Sequence, residues 1–321
     1  MDIVISGSIA FDYLMRFPGR FRDHLIPEKL DSISVSFLVE TLARERGGSG
    51  ANIAFNLALL GERPILMGTA GQDFAEYREW LDRHGVDTSA VREIPGVFTA
   101  SFFANTDADN NQIGSFYTGA MAYAKGYTLA EALHHRRPDL VAISPNDPAA
   151  MSELADECQA SGVPFLFDPS QQVIWLGPEF LLHGTDRCQM LIVNEYEWEM
   201  IAKKTGLTRE RLVQQGKTLI ITHGGEGSHI YAEGEHYVVP VFPVARIVDP
   251  TGVGDAYRAG LLKGIASGFG WKLCGEIGAV AAAYVLECNG TQNHHYTLPE
   301  FVARFRTAFD DKGALDAWLR I

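Results

Sequence analysis

Asp249-Pro250-Thr251-Gly252-Val253-Gly254-Asp255-Ala256-Tyr257-Arg258-Ala259-Gly260 is a loop that becomes a helix. Pro250 stops the extended run before it. A helical pattern starts near Asp255 and continues through Leu261-Leu262-Lys263 to Ile265. Gly252 and Gly254 let the backbone turn tightly and bare successive N–H groups at a helix N-terminus. There the unpaired donors and the positive end of the dipole favour an anion. A phosphoryl group in transfer spreads charge over its oxygens and suits such a cradle. Asp255 adjoins it, where a carboxylate can take the proton of an attacking hydroxyl, worth ~10²–10⁴ in rate. Taken alone, Gly-x-Gly-Asp also reads as a plain turn and N-cap. No Gly-x-x-x-x-Gly-Lys-Ser/Thr occurs in the chain, which disfavours a P-loop enzyme.

Outward from this stretch, buried-strand patterns occur at Leu140–Ser144, Phe165–Asp168, Met190–Asn194 and Leu219–Thr222, separated by helical patterns such as Pro148–Ala160 and Glu195–Thr205. This alternation predicts an α/β fold with a mostly parallel sheet covered on both faces. The four strands end in Ser144, Asp168, Asn194 and Thr222, all polar, and ligands of such sheets bind beyond the carboxyl ends of the strands. Two regions break the rhythm. Leu30–Val39 alternates with period two. Phe98–Ala104 and Gln112–Tyr117 are strand-like and joined by a polar turn. They predict a small antiparallel sheet serving as a lid, built from about 12–46 and 97–119, on a single domain spanning 1–321. Gly48-Ser49-Gly50 is discounted as a dinucleotide fingerprint because it lacks a third glycine and follows Arg44-Glu45-Arg46, which is not read as a strand.

The chain has 321 residues and a net charge of -13, which argues against a nucleic-acid partner, since a phosphate backbone needs a basic field. Four cysteines without a C-x-x-C pair predict reduced thiols and a cytoplasmic setting. No signal peptide or membrane span is expected from the sequence. His134-His135 and His294-His295 read as surface pairs, and no zinc-ligand spacing appears.

Beyond these readings, the chain resembles the ribokinase/PfkB family of sugar and nucleoside kinases. Asp249–Gly260 matches its C-terminal signature, Gly47-Gly48-Ser49-Gly50-Ala51-Asn52-Ile53-Ala54 its N-terminal one, and Asn194-Glu195-Tyr196-Glu197 its Asn-x-x-Glu motif. Within the family the likeness is to bacterial, actinobacterial-type adenosine kinases, through Ser8–Asp12, Leu14–Phe21, Gln112–Tyr117, Asp168–Gln172 and Gly290–Gln292. Thr118 and Tyr257 depart from that pattern, where proline and phenylalanine are expected.

The resemblance implies a ribokinase-like three-layer core and an ATP- and Mg²⁺-dependent transfer to the ribose 5′-hydroxyl of adenosine, in purine salvage. Asp255 is then the base, with Gly252, Val253 and Gly254 the anion hole. Asp12, Gly48 and Asn52 would hold the ribose hydroxyls. Phe102 and Phe116 would cover the base, with Ser8, Ser36, Gln171 and Gln172 near it. Asn194, Thr222, Gly224, Gly227 and Asn293 are expected toward ATP, and Glu197, through water, with Asn194 toward the metal. A monovalent cation such as K⁺ and a homodimer through exposed lid edges are further expectations. The alternatives are a ribose or fructose kinase, a guanosine or inosine kinase, and a non-catalytic nucleoside-binding protein.

Overall fold

The computed structural model describes residues 1–25 and 34–320. In chain order its strands and helices are β1 (Ile3–Ser6), β2 (Ala10–Arg16), β3 (Thr41–Gly47), α1 (Ser49–Leu59), β4 (Ile65–Gly71), α2 (Ala75–Arg83), β5 (Val91–Ile94), β6 (Ala100–Thr106) and β7 (Gln112–Tyr117). There follow α3 (Leu129–Ala132), β8 (Leu140–Ile143), α4 (Pro148–Ser161), β9 (Phe165–Phe167), α5 (Pro178–Arg187), β10 (Met190–Asn194), α6 (Glu195–Thr205), α7 (Arg209–Gln214) and β11 (Thr218–Thr222). Last come β12 (Ser228–Ala232), β13 (Glu235–Val239), α8 (Val253–Ala266), α9 (Trp271–Leu286) and α10 (Leu298–Phe305).

Nine strands form the main sheet in the order β13-β12-β11-β10-β9-β8-β1-β4-β5. All neighbours are parallel except β11–β12 and β12–β13. The apolar runs are strands because both faces are covered. Ile3 and Ile5 pack among Ile53, Phe55, Leu261 and Leu262 on one side, while Val4 points the other way among Met151, Leu154 and Leu181. β11 repeats this, with Ile220 on the first side and Leu219 and Ile221 on the second. The helices start and stop where local chemistry directs. Asp147 accepts from the amides of Ala149 and Ala150 to open α4, and Gly162 in the left-handed region closes it.

The small sheet has the order β3-β2-β6-β7, with antiparallel outer pairs and a parallel central pair, β2–β6. Three sequence expectations are corrected here. Residues 34–39 form no strand, and residues 30–33 of that alternating run lie outside the described residues; the strand is Thr41–Gly47 instead. Gly48-Ser49-Gly50 therefore does follow a strand and open a helix, and only the missing third glycine still speaks against a dinucleotide site. Third, α8 begins at Val253, two residues before the expected start, because Gly252 adopts the N-cap turn.

The four cysteines are free thiols, and Cys158, Cys188 and Cys274 are buried. Among the described residues no helix is long and apolar enough to cross a membrane.

Candidate active site

A cavity of about 680 Å³ lies between the carboxyl ends of the core strands and the small sheet. Its floor is the start of α8. Gly252 sits at φ +78°, and a methyl there would come within 2.9 Å of Thr291, so glycine answers both the backbone and the space. The Gly254 and Asp255 amides find no backbone acceptor among the described residues. Asp255 lines the cavity, accepts from Asn52 Nδ2 at 2.9 Å, and makes no salt bridge among the described residues. Burial pushes its carboxyl up to about 6; Arg258 and the Asn52 bond pull against that, and Asp168 and Asp12 add to it. A carboxylate held there, ionised at neutral pH but near its titration point, suits a general base.

The second wall comes from the β1–β2 link and α1. Ser8, Asp12, Gly48 and Asn52 all line the cavity. Gly48 has φ +91°, and a methyl there would lie 2.5 Å from Ser8 O and 2.6 Å from the Ala10 nitrogen, so no side chain fits. Asp12 is pushed up to about 6, first by burial, then by Glu45 and Asp249. An acceptor-rich carboxylate beside a side-chain amide and bare backbone is suited to a vicinal diol.

The third wall is aromatic. Asp12, Phe102 and Phe116 are aligned across β2, β6 and β7. Phe116 is 52% exposed and Phe102 is half-buried, so neither is spent on a core. Met121, Pro145 and Trp175 complete this end. Gln171 and Gln172 approach from the turn after β9, and Gln172 is held by donating to Asn146 O at 2.7 Å. The carbonyls of Val173, Ile174 and Leu176 in this turn all accept from Lys204 Nζ, at 2.6, 2.9 and 2.8 Å.

Toward the far end stand Asn194, Glu197, Thr222 and Arg258. Asn194 and Glu197 form a reciprocal cap on α6: Glu197 N donates to Asn194 Oδ1 at 2.8 Å and Asn194 N to Glu197 Oε2 at 2.7 Å. Glu197 is buried, and burial raises its carboxyl. Its second oxygen has no hydrogen-bond partner among the described residues. A hard oxygen donor so placed fits magnesium, which keeps much of its water and uses few protein carboxylates.

Five expected residues do not line the cavity. Ser36 is exposed on an irregular segment. Gly224 and Gly227 belong to the turn joining β11 to β12, where Gly227, packed on Val239 O, closes the hairpin. Asn293 donates to Glu45 and Asn289. Val253 packs its side chain beside the α8–α9–α10 core, leaving only its backbone at the loop. His294, read as a surface residue, is buried instead. Its Nε2 lies 2.8 Å from Asn56 Oδ1, and burial lowers it to about 4.

Sequence reasoning missed Arg258 and Trp175 as lining residues. Arg258 matters most. Its Nε and Nη2 lie 2.6 and 2.7 Å from the two oxygens of fully buried Asp168, and its charge also faces Asp255. Burial works against the guanidinium charge, but Asp168 and Asp255 outweigh it. The available signal was its place three residues past Asp255, on the same face of the helix.

A family model described as pfkB family carbohydrate kinase matches residues 19–297. The chain is 31% identical to a nucleoside kinase of Methanothermobacter thermautotrophicus, over 95% of each chain. It superposes on a Burkholderia thailandensis nucleoside kinase in complex with ADP-inosine, with a TM-score of 0.81, 36% identity and 96% of each chain covered. The nucleoside kinase of Methanocaldococcus jannaschii gives a TM-score of 0.86 at 27% identity, covering 95% of this chain and 98% of that one.

Proposed function

The chain belongs to the pfkB family of carbohydrate kinases, and from that membership we propose that it is an ATP-dependent nucleoside kinase acting on the ribose 5′-hydroxyl, with adenosine its leading acceptor. The observation that carries the reading is that one cavity is lined both by a polar set, Asp12, Asn52 and Asp255, and by an aromatic set, Phe102 and Phe116. A free sugar would fill the first and leave the second empty. A nucleoside uses both, and stacking a base is worth ~1–3 kcal/mol in nucleic-acid complexes. Relatives named as nucleoside kinases, one of them solved with ADP-inosine, support the class and argue for including inosine among the acceptors tested.

In this reading Asp255 accepts the proton of the 5′-hydroxyl as that oxygen attacks the γ-phosphorus. The first-turn amides of α8 and the Arg258 guanidinium balance the charge moving through the transferring group. Thr222 and Asn194 lie on the ATP side, and Glu197 with Asn194 would hold magnesium through water. Bound magnesium would neutralise phosphate charge. Reduced thiols agree with a cytoplasmic enzyme, and the small sheet's exposed edge strands suit a dimer. The deciding experiment is a product-identified phosphorylation panel with ATP and magnesium across adenosine, inosine, guanosine, ribose and fructose. Adenosine turning over with the highest kcat/KM is the expected outcome. Preference for ribose or fructose would overturn the nucleoside reading, and turnover of none of the five would favour a binding protein.

A further inference from the structure

Behind Asp255 runs a chain of buried hydrogen bonds whose polarity is set at its far end. Trp80 Nε1 lies 3.1 Å from the Gln292 side-chain oxygen. An indole nitrogen only donates, so the Gln292 atom it meets must be the carbonyl. The Gln292 amide nitrogen therefore faces the other way, 2.9 Å from Asn52 Oδ1 and 2.5 Å from the Tyr77 hydroxyl. The Tyr77 hydroxyl spends its proton on Gly47 O at 2.9 Å, an atom that only accepts, so it accepts from Gln292. With Asn52 Oδ1 occupied, Asn52 can present only its NH₂ to Asp255. Gln292, Asn52 and Tyr77 are all buried, where hydrogen bonds in a connected set hold one another's direction.

We infer that Gln292, oriented by Trp80 and Tyr77, is a positioning residue that locks Asn52 as a hydrogen-bond donor to the Asp255 carboxylate. The inference rests on Asp255 being the base. If Gln292 is lost, the Asn52 amide is free to turn when Asp255 is protonated, so that its oxygen accepts the carboxyl proton. The acid form of Asp255 then gains an acceptor that the wild type denies it, while the ionised form gains nothing. The other groups facing Asp255 stay where they are: Arg258 one turn on in α8, Asp168 after β9, Asp12 on β2 and Tyr77 on α2. The acid limb of turnover should therefore move to higher pH.

The test compares kcat and KM for ATP and for the best acceptor between pH 5 and 9 in Gln292→Met and Trp80→Phe, with urea unfolding of each. We expect Gln292→Met to lower kcat at pH 7 by roughly tenfold and to raise the acid limb by at least about half a pH unit. Trp80→Phe, which keeps an aromatic ring and removes only the donor, should move the limb the same way by less. It carries the test if Gln292→Met does not fold. Loss of kcat with an unmoved acid limb in the folded variants would reduce the chain to packing and overturn the inference. Asp255→Asn separates the two levels. If it keeps more than a tenth of wild-type turnover, the base assignment fails, whatever the relay does.

Discussion

Replacing Arg258 by methionine should leave the Asp168 carboxylate buried with no counter-charge. Methionine keeps most of the side-chain length, so cavity formation is a minor part of the cost. Asp168 is fully buried, and its two oxygens lie 2.6 and 2.7 Å from the guanidinium. Burial keeps this carboxyl raised on balance even beside Arg258, which pulls against it, so the substitution removes the main opposing influence. Asp168 then has one escape, which is to take a proton on folding. In the unfolded chain it titrates near 3.8, and each unit between that value and the working pH costs 1.36 kcal/mol, so the loss against wild type is at most about 4 kcal/mol at pH 7 and about 1.6 at pH 5. The larger figure falls within the ~3–5 kcal/mol typical of breaking a buried pair. The sign follows: the variant's folded carboxyl lies above its unfolded value, so the deficit is small near pH 4 and grows as pH rises. Equilibrium urea unfolding of wild type and R258M at pH 5 and 7 reads both numbers. The double variant D168N/R258M should recover more than half of the loss at pH 7. A loss below about 1 kcal/mol at pH 7, or an equal loss at both pH values, would refute the buried-pair reasoning.

Three shorter expectations concern the reaction. Asp255→Asn should cut turnover at least about a hundredfold while the urea midpoint stays near wild type; retention above a tenth of the rate excludes it as the base. Phe116→Ala should lower kcat/KM for nucleosides roughly 5- to 150-fold and leave any reaction with free ribose nearly unchanged, so equal losses would point to a sugar kinase. Gly252→Ala places a methyl against Thr291 at a backbone angle costing ~1–2 kcal/mol. It should depress kcat with little change in the nucleoside KM, and a kcat within twofold of wild type would show that the turn is not aimed at the transferring group.

Much of this architecture was legible because burial leaves a local signature. The runs at 140–143, 165–167, 190–194 and 218–222 are apolar on both faces and could be strands only in a covered parallel sheet. The loop before α8 was legible through its glycines. β3 was not. Its Thr-Leu-Ala-Arg-Glu-Arg-Gly sequence lies largely exposed, so no apolar alternation marks it, and pairing with β2 makes it a strand. His294 misled for a similar reason: the partner that buries it, Asn56, lies 238 residues away on α1. Arg258 was hidden behind the glycine signature beside it, because its meaning depends on Asp168, just past β9 and 90 residues earlier.

The Lys204 ammonium has a mechanical consequence. It holds three carbonyls of the turn that presents Gln171, Gln172 and Trp175, and it does so from the last full turn of α6, whose cap and first turn carry Asn194 and Glu197. Eleven helical residues span ~16 Å. That stiff rod joins the region that would grip phosphate to the region that would grip the acceptor, so a shift at one end of α6 is felt as a tilt at the other.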